Sequence, residues 1–205
     1  MNLTEEKKIK HVAYTIAIGF IGSFLAFGFS LFFPPDFSTP IPTFPKASMV
    51  SQEISLALYI LGCTVLGLKL AEEKKTLPSA GFTFLAIAMG INFILYFINL
   101  NNEQSLQDGY KTFCGMMYLL IPAMILIAFY SEFPRWVNWL GLVSLIPYII
   151  TYFKFMSNEK YSTDLDRTSF FSVILFNLTA LAWGIFTLRN MKKEIAELKK
   201  VKGEK

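Results

Sequence analysis

The sequence predicts an all-α fold: a multi-pass integral membrane protein, a bundle of six transmembrane helices with both termini cytoplasmic. Three observations predict it: six apolar stretches of about bilayer length, almost no ionisable residue inside them, and basic residues crowded into alternate connections. An apolar run of about 20 residues, at about 1.5 Å rise per residue, matches a hydrocarbon core about 30 Å thick. No water in that core satisfies backbone polar groups, so each run must be helical. Barrel strands would be shorter and strictly alternating, a pattern this chain does not show.

The first stretch, His11 to Phe33, follows a short charged segment and has no small-residue cleavage site. It is too long for a signal-peptide core and is expected to stay as a helix. It carries Ala13-x-x-x-Ala17, Gly19-x-x-x-Ser23 and Gly22-x-x-x-Ala26. Small residues four apart form a groove that lets another helix approach closely. Its partner is left open: a helix of the same chain, a second copy, or another membrane protein. The connection from Pro34 to Gln52 interleaves five prolines with Phe37, Ile41, Phe44 and Met49, which makes it stiff and partly apolar, either a binding lid or a strap.

The second stretch, Ile54 to Ala71, holds Cys63 and Thr64 near its middle, with Glu53 and Lys69 placed to snorkel at its ends. The third, Gly81 to Leu100, centres near Asn92 and contains Ala86, Ala88 and Gly90. The fourth, Phe113 to Tyr130, and the fifth, Val137 to Phe155, are joined by a short turn and carry Pro122 and Pro147 near their middles. Each proline removes one backbone hydrogen bond and bends its helix, so the two are candidate hinges. Ser144 and Tyr148 lie close to Pro147. The sixth stretch, Ser169 to Leu188, has Asn177 and Thr179 near its centre and continues into a basic tail, 189–205. There Met191, Ile195, Leu198 and Val201 form one apolar stripe beside five lysines, a surface for anionic headgroups or a partner helix.

Orientation follows from the basic residues. With the N-terminus inside, fourteen Lys and Arg fall on the cytoplasmic side and five outside, as the positive-inside rule expects. The expected location is the plasma (inner) membrane. No connection is long enough for a second folded unit, so residues 1–205 are expected to form one domain. The net charge of +4 reads as an orientation signal and not as a nucleic-acid surface.

What the stretches lack excludes chemistry. Haem, di-iron, zinc and proton-relay sites need buried imidazoles or carboxylates, and the single histidine, His11, lies at a membrane edge. No catalytic residue, metal or cofactor is therefore expected. Cys63 and Cys114 lie at different depths, too far apart for a disulfide.

The groups left at mid-depth are neutral: Asn92, Asn177, Tyr148, Thr64 and Ser144 are the candidate ligand contacts. An amide in hydrocarbon without a partner costs several kcal/mol, so both asparagines should face other helices or a wet cavity. Two functions fit: a transporter or permeation protein for a neutral or lipophilic solute through a midplane cavity, or a non-catalytic membrane subunit or lipid-binding scaffold whose polar residues lock helices together.

Overall fold

The computed structural model describes residues 3–34, 45–95, 103–130, 132–158 and 163–201. They form six helices, α1 (Leu3–Ser30), α2 (Lys46–Glu72), α3 (Thr76–Leu95), α4 (Glu103–Ala128), α5 (Arg135–Asn158) and α6 (Thr163–Val201). All six are long and apolar enough to cross a membrane, which suggests an integral membrane protein. Most of the expected proline-rich lid or strap, and the last residues of the third stretch, lie outside the described residues.

Each helix packs against its neighbours in the chain, and α6 returns to pack against α1, so the helices form a ring in sequence order. The α4–α5 pair is the loosest. The ring's outer surface is apolar: Ile18, Leu25, Leu68, Phe129, Trp139 and Phe153 are all exposed. Burial of apolar side chains against one another then discriminates little from lipid contact, and close backbone approach decides which helices pair.

The α1–α2 pair shows how. Gly19, Ser23 and Ala26 on α1 meet Ser51, Ser55 and Gly62 on α2 in antiparallel register. A Cβ on Gly19 would lie 2.6 Å from the Gly62 Cα, the Ser55 hydroxyl donates to the Ser23 carbonyl at 2.9 Å, and the Ser51 hydroxyl donates to the Ala26 carbonyl at 2.5 Å. The small-residue groove of the first helix is thus filled by the next helix of the same chain. Gly81 does the same for α3 and α4: a Cβ there would lie 2.9 Å from the Ala123 carbonyl oxygen.

Both prolines lie inside continuous helices, Pro122 in α4 and Pro147 in α5. Lys74, with φ of 60°, ends α2 in the left-handed region, and the Lys75 amide donates back to the Leu70 carbonyl at 2.9 Å. That six-to-one bond closes the helix in the manner usual for glycine. Its tail unbroken, α6 runs on to Val201, with Met191 buried and Lys192, Lys193, Lys199 and Lys200 exposed.

Candidate functional site

A ring of six helices leaves space along its axis, and two kinds of side chain occupy it. Toward the end carrying the chain termini, the axis is filled by rings. Phe20 of α1, Tyr59 of α2, Phe82 of α3 and Trp183 of α6 converge, with Trp183 centroids 5.4 Å from Phe20, 5.1 Å from Phe82 and 6.4 Å from Tyr59. Trp183, Phe20 and Phe82 are fully buried. Edge-to-face contacts of this kind add to simple area burial.

Toward the opposite end the rings give way to a cavity of about 40 Å³. Its polar lining is Ser23, Gln52, Ser55, Asn92, Tyr148 and Asn177, with Tyr59 at its deep end beside the aromatic cluster. Five helices contribute described lining residues, none of them charged, and α4 contributes none. The volume is room for about three water molecules, at about 10–15 Å³ each, far below the roughly 300–1,000 Å³ of pockets for larger ligands.

Hydrogen bonds sort the lining groups. The Ser55 hydroxyl already donates to the Ser23 carbonyl, so in the 3.1 Å Ser23–Ser55 contact the Ser23 hydroxyl is the donor. It shares that proton with the Asn177 carbonyl oxygen at 3.5 Å, a weak bond by its length. The Asn177 amide donates to the Val173 carbonyl one turn back at 2.9 Å. Asn177, only 7% exposed, is thus tied to α1 and to its own helix. Asn92 is half-buried, and the buried Tyr59 hydroxyl has no partner among the described residues. Both line the same cavity, where a small molecule offering a hydrogen-bond partner would complete the Tyr59 hydroxyl.

The structure therefore brings together Asn92, Asn177 and Tyr148. Tyr148 lies between Phe113 and Phe176, at centroid distances of 5.1 Å and 5.6 Å. Two other candidates are placed elsewhere. Thr64 is exposed on the outside of the ring, because one residue beyond the inward-facing Cys63 is a rotation of about 100°. Ser144 is fully buried between α5 and α6, where its hydroxyl donates to the Gly141 carbonyl at 2.5 Å and its carbonyl accepts from the Ser172 hydroxyl at 2.6 Å. It joins two helices one turn from Pro147 and does not reach the cavity lining. Pro147 adjoins the cavity through Tyr148, whereas Pro122 has no part in it.

Ser23, Gln52, Ser55 and Tyr59 are lining residues that the sequence alone did not single out. Only the Gly19-x-x-x-Ser23 spacing pointed toward one of them. Among the described residues no three His, Cys, Asp or Glu side chains come together. Cys63 and Cys114 are both buried free thiols. Compared with known proteins, the chain matches no family model, no curated protein and no solved structure.

Proposed function

We propose that this chain lies in the plasma (inner) membrane with both termini in the cytoplasm, and that it binds and passes a small neutral solute along the axis of its helix ring. The bias of basic residues toward the termini end supports the orientation. The observation that carries the function is the cavity on that axis, whose described lining is uncharged and holds Asn92 beside the buried Tyr59 hydroxyl, which lacks a hydrogen-bond partner among the described residues. A bare ion would need charge or several converging carbonyls. A small polar molecule needs what this lining offers: hydroxyls, amides and shape. The cavity's volume favours such a solute over a larger lipophilic one, which would require the ring to widen.

Proteoliposomes challenged with glycerol, urea and water as probes, followed by stopped-flow light scattering, test this reading. The full chain should speed the passage of at least one probe, and Asn92→Leu should abolish that gain while leaving thermal stability in detergent unchanged. Flux equal to that of protein-free liposomes for all three probes would overturn it.

The alternative, a non-catalytic subunit or lipid-binding scaffold, is favoured by a different observation. The Ser23–Ser55–Asn177 group joins α1, α2 and α6, and Ser144–Ser172 joins α5 to α6. Under that reading Asn92→Leu changes nothing, and the exposed lysines of the α6 tail meet anionic headgroups.

A further inference from the structure

Beyond the aromatic cluster the axis continues to the termini end, and unpartnered polar atoms mark its course. Among the described residues Tyr59 Oη, Trp183 Nε1 and Thr187 Oγ1 are buried without a hydrogen bond. A buried indole N–H ordinarily finds an acceptor, and an orphaned buried polar group calls for a reason beyond stability. Trp183 and Thr187 are four apart on α6, followed at spacings of three and four by Asn190 and Glu194, so the four share one helix face.

Phe133, between α4 and α5, closes this face. Phe133, 3% exposed, stacks on Trp183 with centroids 6.5 Å apart and planes 19° from parallel. Tyr130 packs edge-on against Phe133 at 4.6 Å and against Phe82 at 6.5 Å. The two sides of the connection are held differently. Its Tyr130 side is anchored inside the protein, where the Asn138 amide donates to the Tyr130 carbonyl at 2.8 Å and to the Ala128 carbonyl at 3.3 Å. Its Glu132 side is held at the surface by an ion pair with Lys75, by the Tyr130 hydroxyl at 2.8 Å, and by the Asn190 amide donating to the Glu132 carbonyl at 3.3 Å. The Lys75 and Glu132 side chains remain 35% and 37% exposed, so water and salt compete for them and the pair can break.

We propose that Phe133 is a gate at the termini end of the axis, latched by Lys75–Glu132, and that release of the latch swings Phe133 off Trp183 and opens the face at Thr187. The proposal rests on the permeation reading, to which it adds the point of closure. Solute in the cavity is separated from the termini end by the rings of Phe20, Phe82 and Trp183, and Phe133 caps that cluster while the latch holds, so opening at this end would be controlled separately from entry at the other.

The test uses the full chain in detergent, with Cys63→Ala and Cys114→Ala, and a charged, water-soluble maleimide as the probe. Thr187→Cys should react slowly. Adding Glu132→Gln should raise its labelling rate about fivefold, the change expected for losing a partly exposed ion pair worth about 1 kcal/mol. The charge swap Lys75→Glu with Glu132→Lys, made together with Glu73→Gln because Glu73 lies 2.6 Å from the Lys75 ammonium, should restore slow labelling, which a merely disordered variant would not do. Phe133→Ala should expose Thr187→Cys without disturbing the latch. Equal labelling rates in all these backgrounds would overturn the gate. Asn92→Cys, labelled in parallel, reads the cavity separately: fast reaction there with an indifferent Thr187→Cys sinks the gate alone. An unreactive Asn92→Cys with the Thr187→Cys response intact sinks the permeation reading while the gate motion stands.

Discussion

Gly19 and Gly62 meet backbone to backbone where α1 crosses α2: a Cβ on Gly19 would lie 2.6 Å from both the Cα and the amide nitrogen of Gly62, and 2.8 Å from the Leu58 carbonyl oxygen. Backbone cannot swing aside as a side-chain end can, so the helices must separate to admit even one methyl group. Gly19→Ala should therefore destabilise the protein by about 1–3 kcal/mol, the range of overpacking. Gly28, in the same helix, has no atom of a described residue within 4 Å of its Cβ position, and Gly28→Ala should be neutral or stabilising by up to about 1 kcal/mol through helix propensity. Thermal unfolding of the two variants in detergent checks the contrast.

Trp183 sits fully buried at the centre of the ring with its indole N–H unpartnered among the described residues. Removing the whole side chain should cost about 3–5 kcal/mol, as for other large aromatics. Trp183→Phe removes the orphaned donor, whose burial costs about 1–3 kcal/mol, together with part of the packed surface. These effects oppose, so Trp183→Phe should stay within about 1 kcal/mol of wild type in thermal unfolding. A loss as large as that of Trp183→Ala would show that the N–H holds a partner.

The number and order of the helices were readable from the sequence, and rotation about them was not; Asn92, expected near the middle of its stretch, stands three residues before the end of α3. Their order follows from the apolar runs, and the close-approach groove of Gly19 and Ser23 from small-residue spacing, although that spacing left open which helix fills it. Thr64 shows why the rest did not: on α2, apolar residues face both the core, as Leu66 does, and the outer surface, as Leu68 does. A helix apolar all round carries no stripe to say which side is inward. Thr64 therefore stood beside Cys63 in depth but on the opposite surface. The role of Phe133 was hidden for another reason: it lies in a connection, where an apolar residue gives no periodic signal.

The polar groups shared between helices should separate locks from contacts. Ser172→Ala removes the hydroxyl that bonds the Ser144 carbonyl, and Asn177→Leu removes the weak link to Ser23. Each should lower stability by about 0.6 to 2 kcal/mol, the range for interhelical hydrogen bonds in membranes, with Asn177→Leu at the low end because its interhelical bond is long. Thr64→Val, on the outer surface, should leave the unfolding midpoint unchanged. If Thr64→Val costs as much as Ser172→Ala, the outward placement of Thr64 is incorrect.

Lys74 occupies the left-handed backbone region with φ of 60°, and its neighbours Glu73 and Lys75 are paired with each other at 2.6 Å. A residue with a Cβ pays about 1–2 kcal/mol there, which glycine avoids. Lys74→Gly should relieve that strain and stabilise the end of α2, offset by the greater freedom of glycine in the unfolded chain, for a net gain of about 0.5–1 kcal/mol. The same substitution leaves Lys75 in place, so the Lys75–Glu132 latch and the slow labelling behind it should persist. Thermal unfolding reads the first effect and maleimide labelling at Thr187→Cys the second; a Lys74→Gly variant that is less stable would mean that the turn is held open by contacts of the lysine side chain and not tolerated in spite of its backbone.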